Sequence, residues 1–237
     1  MIWNEQILFI HAPKTAGMSL THYLTDHLPD GRVTERRHET LAEARAELAN
    51  EGRRLEDFEK VFVVMRDPYM LEISRFNYLR LGHPWDVGKA QEVALHGDFK
   101  RYLAEAPFFG YFPPRLDLYY HENGSTPANL VVLSYERLKE EVEKHIAPFC
   151  REGAAVALPR LNVTAKACFE DYYDAEAEEL CFQRHRWFFD EGFYERKDCA
   201  AGAEAADSRA GSARKLLSLW FHSMPIAMAA DLLFVMP

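Results

Sequence analysis

Residues 7–20 read ILFIHAPKTAGMSL, and this stretch decides the fold. The apolar run at 7–10 is short and does not alternate with polar residues, which is typical of a strand buried on both faces. Ala12 and Pro13 end that run, and from Thr15 to Leu28 the apolar residues recur at helical spacing. A buried strand, a short loop and a helix in this order predict the start of an α/β domain.

The rest of the chain continues the alternation of strands and helices. We predict a possible short strand at 32–34 and two further strands, and each of these is followed by a segment with helical spacing. The strands are expected at 61–65 and 130–133, and the helices at 40–55, 68–81 and 135–145. This order predicts an α/β fold of three layers with a mostly parallel sheet flanked by helices. Ligands of such sheets bind beyond the carboxyl ends of the strands.

Composition limits the class of protein. The chain has 237 residues, of which 48% are hydrophobic and 13% aromatic, and this suits one α/β domain with a sizeable core. Its formal net charge is −9, so we expect no general nucleic-acid binding, which requires a basic face. Local cations and helix N-termini can still bind a small anion.

The cysteines indicate the compartment. Cys150, Cys168, Cys181 and Cys199 form neither a C-x-x-C pair nor a zinc-binding pattern, and we expect them to be reduced. Reduced cysteines fit a cytoplasmic protein. The N-terminal sequence resembles a strand rather than a secretory signal.

The C-terminal part differs in composition from the rest. Residues 1–199 form the predicted domain, residues 200–215 are small and polar and predict a flexible linker, and residues 216–237 are apolar. His222 and Pro225 interrupt the apolar segment, which makes a membrane span the less favoured interpretation. We expect a helix that packs on the domain, on a partner or peripherally on a membrane surface.

The loop after the first predicted strand has the chemistry of an anion site. Gly17 gives the backbone freedom to approach a ligand, and the amides at the helix start point outward at the positive end of the helix dipole. Lys14 adds a positive charge, while Thr15 and Ser19 offer hydroxyl donors. It is not a Walker A loop, because Lys14 precedes the glycine. The alternative is an ordinary turn with a solvent-exposed lysine.

A second segment follows the strand at 61–65. Arg66 leaves the strand end, where its guanidinium could bind a phosphate with two hydrogen bonds. Pro68 is suited to the first turn of the next helix, and Ser74 lies about two turns into it. The alternative is an Arg66–Asp67 turn that only stabilises the helix start.

The two segments together resemble the sulfotransferase family. The resemblance is to the branch with a P-K-T-A-G loop, which includes the heparan sulfate 2-O- and 6-O-sulfotransferases. It covers roughly residues 5–195 and includes the run at 132–138, the run at 161–164 and the region from Asp171 to Asp190. It implies a P-loop-like fold and transfer of a sulfuryl group from 3′-phosphoadenosine 5′-phosphosulfate (PAPS), with the 3′,5′-bisphosphate PAP as product.

The resemblance also implies roles for particular residues. The loop would bind the 5′-phosphosulfate, while Arg66 and Ser74 would bind the 3′-phosphate. Many relatives have Thr where Met18 stands, so one hydroxyl contact is missing here. Asn162 and Lys166 lie in the region that closes over the nucleotide in relatives. The implied nucleotide-binding residues are Pro13, Lys14, Thr15, Ala16, Gly17, Met18, Ser19, Arg66, Ser74 and Lys166.

The chemistry requires a cation near the leaving oxygen and a base for the acceptor. Lys14 can neutralise the charge that develops on the leaving phosphate, and no metal is expected. His38 is the chosen base, because a side chain that titrates near neutral pH is best suited and a histidine occupies a comparable place in the 6-O-like branch. Glu39 is the reserve base, and His11 is expected to orient the loop. His38 as a plain surface histidine is the alternative.

The acceptor is less well defined. The resemblance implies a hydroxyl of a sugar on an oligosaccharide, polysaccharide or glycolipid, and small phenols or alcohols remain open. Arg36 and Arg37 could bind an acidic acceptor or be merely solvated. The aromatic run at 108–114 could form a platform for the acceptor or adenine, although a core role is more typical.

Two other functions remain open. An ATP-dependent small-molecule kinase would use a similar strand–loop–helix site, but it requires Mg²⁺ ligands and usually a Walker A loop. A nucleotide-binding protein that has lost turnover is the second alternative, since Met18 and the choice of base both leave room for it.

Overall fold

The computed structural model describes residues 1–36, 38–84, 88–108, 115–159, 168–197 and 199. In these ranges the strands are β1 Ile2–Trp3, β2 Ile7–Ile10, β3 Arg32–Val33, β4 Lys60–Met65 and β5 Leu130–Ser134. The helices are α1 Gly17–His27, α2 Leu41–Asn50, α3 Pro68–Leu79, α4 Lys89–His96, α5 Phe99–Glu105, α6 Leu138–His145, α7 Ala175–Arg184 and α8 Arg186–Asp190. The strands and helices predicted between residues 7 and 145 are confirmed, with ends shifted by a few residues.

The five strands form one open mixed sheet in the order β3-β1-β2-β4-β5. Strands β2, β4 and β5 are parallel, whereas β1 pairs antiparallel with both β2 and β3. The prediction of a mostly parallel sheet is therefore right for the three-stranded core and wrong for the β3 side.

A tight hairpin at the start of the chain causes this difference. The side-chain oxygen of Asn4 accepts hydrogen bonds from the backbone N–H groups of Gln6 and Ile7, each at 2.9 Å. These bonds reverse the chain and lay β1 against β2. A two-residue strand has too few residues for a periodic pattern, so neither β1 nor its antiparallel direction could be predicted from hydrophobic spacing.

Helices cover both faces of the sheet, which makes three layers. On one face, α1 and α6 pack against strand residues such as Phe9 and Phe62. On the other face, α2 and the segment around Tyr119 pack against Leu8 and Val63. Helices α3, α4, α5 and α7 share a further apolar cluster beside the sheet. Because both faces are covered, the carboxyl edge of the parallel strands is the natural place for a ligand.

Candidate functional site

Three parallel strands end side by side, and their following residues form the candidate site. Strand β2 leads into the loop at 11–16, β4 into Arg66 and Asp67, and β5 into Tyr135 and Glu136. Because β4 lies between β2 and β5, Arg66 can contact both neighbouring loops. We call this group of residues the strand-end site.

Arg66 joins the two segments singled out in the sequence. Its Nη1 donates a hydrogen bond of 3.0 Å to the backbone oxygen of Lys14, and its guanidinium lies 4.3 Å from the ring centroid of Tyr135. Its Nε is buried and has no hydrogen-bond partner among the described residues. The Lys14 ammonium lies 4.1 Å from the ring centroid of Tyr78 on α3. The structure therefore brings the loop, the end of β4 and α3 together.

The loop has an unusual backbone. Lys14 and Ala16 have φ angles of 63° and 61°, in the left-handed region that costs a non-glycine residue about 1–2 kcal/mol. Ala16 occupies the N-cap of α1 and has no side-chain oxygen to cap it, so the first amides of α1 must find other partners. A strained, uncapped helix start next to a lysine is a typical anion-binding arrangement.

Glycine is required at position 17 for a different reason from the one predicted. A Cβ at this position would lie only 1.7 Å from Cδ2 of His11, so the imidazole of His11 fills the place of the missing side chain. The glycine is required for the close approach of His11, rather than for the approach of a ligand to the backbone. His11 therefore packs directly against the loop, and its role in orienting the loop stays a prediction.

His38 reaches the loop through His11. Its Nδ1 lies 3.1 Å from the backbone oxygen of His11, and the two rings meet edge to face with centroids 4.5 Å apart. A carbonyl oxygen only accepts, so this contact places the proton of neutral His38 on Nδ1 and the lone pair on Nε2. The Tyr119 hydroxyl donates to the backbone oxygen of His38 at 3.0 Å. The half-buried ring is thus held in one orientation.

The hydroxyl groups of the loop have partners within the protein. Thr15 is fully buried and donates to the backbone oxygen of Ala12 at 2.7 Å. Ser19 donates to the backbone oxygen of Pro159 at 2.6 Å. Each hydroxyl has a single proton, so in this structure neither is offered to a ligand as the sequence predicted.

The remaining predicted residues around the loop lie as follows. Pro13 is buried, Met18 is half-buried in the first turn of α1, and Ser74 is 8% exposed on α3. Ser74 lies one helical turn before Tyr78 and therefore on the same side of α3, the side that meets Lys14. Lys166 and Asn162 lie outside the described residues.

Glu39 has a structural role that sequence reasoning did not find. It is 1% exposed, with one carboxylate oxygen 2.8 Å from the Met1 ammonium and the other accepting from the Thr34 hydroxyl at 2.7 Å. A carboxylate with two such partners is poorly placed as a reserve base. Arg36 is exposed and pairs with Glu43 at 3.3 Å.

Two segments were predicted to contact the acceptor, Arg36–Arg37 and the aromatic run at 108–114, and the structure describes only part of each. Phe108 is fully buried in the core, as its apolar setting favoured, while residues 109–114 lie outside the described ranges. Arg37 also lies outside them. Of the residues in these two segments, Arg36 and Phe108 are the ones that the structure describes.

Glu136 and Asp67 stabilise the site at its β5 side. Glu136 accepts hydrogen bonds from the Asp67 backbone N–H at 2.9 Å and from the Ser134 hydroxyl at 3.0 Å. Asp67 caps α3 by accepting from the N–H of Tyr69 at 2.8 Å, and its other oxygen pairs with Lys197 at 2.9 Å. The Arg66–Asp67 turn thus also stabilises the helix start, as the alternative interpretation held.

A second polar group lies inside the helical part and was not predicted. We call it the Glu72 cluster, and its members are Glu72, Arg75, Tyr102, Arg184 and His185. One oxygen of the fully buried Glu72 accepts from Arg184 Nε at 2.9 Å and His185 Nε2 at 2.7 Å. Burial alone would raise the pKa of Glu72, but Arg184 and His185 outweigh it and hold that pKa below its ordinary value.

Within the described ranges no group of three or more His, Cys, Asp or Glu side chains is arranged to hold a metal ion. No helix in the same ranges is both long and apolar enough to cross a membrane. The linker and apolar segment predicted at 200–237 lie outside these ranges.

Comparisons with known proteins give no assignment. The chain matches no family model, and neither curated proteins nor solved structures show a significant similarity to it.

Proposed function

We propose that this protein binds PAPS at the strand-end site and transfers its sulfuryl group to an acceptor hydroxyl. The observation that carries the proposal is the hydrogen bond from Arg66 to the backbone of Lys14. It joins the two sequence segments that resemble the donor site of sulfotransferases, although they are 52 residues apart. Adjacent parallel strands bring their following residues together in any such sheet, so the specific support is that the Arg66 side chain itself contacts the backbone of Lys14.

The residues at this site are suited to a bisphosphorylated nucleotide. The start of α1 and the Lys14 ammonium favour one anionic group, and the guanidinium of Arg66, whose Nε has no hydrogen-bond partner among the described residues, favours another. The burial of Ser74 on the loop-facing side of α3 is compatible with a hydroxyl contact near Arg66. A P-loop-like arrangement of strand, loop and helix is part of this proposal.

The proposed reaction moves one group between two oxygens. The bond from sulfur to the bridging phosphate oxygen breaks, a bond from sulfur to the acceptor oxygen forms, and the acceptor proton passes to Nε2 of His38. Lys14 stabilises the negative charge on the departing phosphate of PAP. The contact of His38 Nδ1 with the His11 backbone supports this assignment, since it leaves Nε2 as the proton acceptor.

The acceptor class is proposed from the resemblance alone. A sugar hydroxyl is the first choice, and alcohols and phenols follow it. Because Thr15 and Ser19 donate their protons within the protein, donor binding would depend on Lys14, Arg66 and the first amides of α1.

Calorimetric titration tests the donor site without knowledge of the acceptor. PAP is compared with AMP, ADP and ATP, with and without Mg²⁺. We expect PAP to bind without metal and much more tightly than the nucleotides that lack a 3′-phosphate. A preference for ATP with Mg²⁺ would support a kinase, and failure of all four to bind would refute the proposed donor site. PAP binding without transfer to any acceptor would favour a nucleotide-binding protein that has lost turnover.

A further inference from the structure

Lys14 is restricted both at its backbone and at its ammonium. Its backbone oxygen accepts the 3.0 Å hydrogen bond from Arg66 Nη1, and its φ angle of 63° sets the direction in which the side chain leaves the loop. The ammonium lies 4.1 Å from the ring centroid of Tyr78. The four-carbon stem between these two points is flexible, so the ring contact restricts where the charge stands.

Tyr78 is a firm support for this contact, because its own position is restricted. Helix α3 begins at Pro68, two residues after Arg66, and Asp67 caps it through the N–H of Tyr69. Tyr78 is half-buried in the last turn of that helix. Its ring also packs against the ring of His83, with the two centroids 5.4 Å apart. The helix that starts beside Arg66 therefore also carries the ring that meets Lys14.

An aromatic ring holds an ammonium differently from a carboxylate. A carboxylate brings a negative charge that cancels the positive one, whereas a ring face attracts a cation through its quadrupole and carries no net charge. A lysine ammonium has three N–H donors, so Lys14 can contact the Tyr78 ring on one side and an anion on another. Ordering a lysine side chain costs conformational entropy, and the ring contact supplies part of that order before an anion binds.

We infer that Tyr78 is a positioning residue for Lys14, and that its ring holds the ammonium ready for an anion at the start of α1. The inference rests on the proposed function for the identity of that anion, the phosphosulfate of PAPS, but not for the contact between Lys14 and Tyr78. The ring and not the hydroxyl of Tyr78 supplies the effect, since the cation lies against the ring.

Calorimetric titration of PAP into the full chain tests the inference. Tyr78→Leu removes the ring and Tyr78→Phe keeps it. Tyr172→Leu is the matched control, because Tyr172 is also half-buried and lies beside α3, where its hydroxyl accepts from Asn77 Nδ2 at 2.9 Å. We expect Tyr78→Leu to weaken PAP binding by about 2–5-fold, equivalent to about 0.5–1 kcal/mol, the usual worth of such a cation–π contact. Tyr78→Phe and Tyr172→Leu should bind PAP as the wild-type chain does, and thermal unfolding checks that all variants are folded.

The same substitution in Lys14→Ala separates positioning from a merely structural role. Without the ammonium, Tyr78→Leu should cause no further loss of PAP affinity. An equal loss with and without Lys14 would overturn the inference, and so would unchanged affinity in Tyr78→Leu. Tighter PAP binding in Tyr78→Leu would also overturn it, because the ring would then withhold the ammonium from the ligand.

Proton NMR of the free chain tests the contact without PAP. The ε-CH₂ signal of Lys14, identified by its absence from Lys14→Ala, should be shifted upfield by the ring current in the wild-type chain and in Tyr78→Phe. This shift should be lost in Tyr78→Leu. Absence of the shift from the wild-type chain would overturn the inference whatever PAP does. The shift in a chain that fails to bind PAP would support the contact and refute the proposed donor site, so the two failures are distinguishable.

Discussion

The strand-end site and the Glu72 cluster contain similar residues but hold them in opposite ways. In the Glu72 cluster, buried charges are paired side chain to side chain, with Glu72 between Arg184 and His185. In the strand-end site, Arg66 instead donates to a backbone carbonyl and is not paired with a carboxylate by any described contact. A buried charge paired with an opposite charge cannot lose its partner without a large cost in stability, whereas a charge held by a backbone carbonyl can still bind an anionic ligand. The two arginine environments on either side of α3 therefore predict different consequences of substitution.

The largest expected effect is on stability. Glu72→Ala removes the carboxylate of the Glu72 cluster and leaves Arg184 buried without its ion-pair partner. We expect the free energy of unfolding to fall by about 3–5 kcal/mol, measured by chemical denaturation. Glu136→Ala is the matched control, because Glu136 is exposed, and its loss should cost about 1 kcal/mol. Equal losses would contradict the distinction between the two regions.

The second effect is on turnover. Lys14→Ala should lower the rate of PAP release in the presence of an acceptor by about 10²–10³-fold, the usual cost of removing one group that stabilises transition-state charge. The free energy of unfolding should fall by only about 0.5–1 kcal/mol, the usual contribution of a cation–π contact at a partly exposed site such as that of Lys14 with Tyr78. Lys139→Ala, at an exposed position of α6, serves as the control. Near-normal turnover would refute the leaving-group role of Lys14.

The third effect concerns the close contact between Gly17 and the ring of His11. Gly17→Ala places a methyl group where the His11 ring lies and should lower the free energy of unfolding by about 1–3 kcal/mol. His11→Ala makes room for that methyl group. In the double variant the loss of unfolding free energy should therefore be smaller than the sum of the losses in the two single variants. Chemical denaturation of the wild type, both single variants and the double variant measures these losses. Strict additivity would show that the ring does not set the requirement for glycine.

The smallest effect is a dependence of stability on pH that belongs to the Glu72 cluster. The folded pKa values of His185 and Glu72 both lie below their ordinary values of 6.5 and 4.5. The unfolded chain therefore binds protons first, so stability should fall as pH drops below 6.5 and fall further below 4.5. Denaturation across this range measures it. In Glu72→Gln the second fall should be smaller, and an unchanged profile would contradict the prediction.

The sequence predicted the strand-end site better than the Glu72 cluster. Lys14 and Arg66 each follow an apolar run, and parallel strands bring such ends together, so their meeting could be foreseen. Glu72 and Arg75 lie three residues apart on α3 and resemble an ordinary solvent-exposed pair. Their partners Arg184 and His185 come more than 100 residues later, on helices whose packing no local pattern reveals.

The hydrogen-bond partners and close contacts within the loop could not be predicted from the sequence either. Spacing placed Thr15 and Ser19 near the helix start but could not show that their protons go to Ala12 and Pro159. Gly17 was a recognisable signal of close approach, but its neighbour is the His11 ring. The choice of partner depends on side-chain directions that only the folded chain defines.

The central claim is that Arg66 at the strand ends is held ready for a phosphate. Calorimetric titration of PAP into the wild-type chain, Arg66→Ala and the exposed control Arg101→Ala tests it most directly. Loss of a charge-assisted hydrogen bond of about 1.5–3 kcal/mol should weaken PAP binding by roughly 10–150-fold in Arg66→Ala and leave Arg101→Ala unchanged. Equal affinity of all three proteins for PAP would contradict the account.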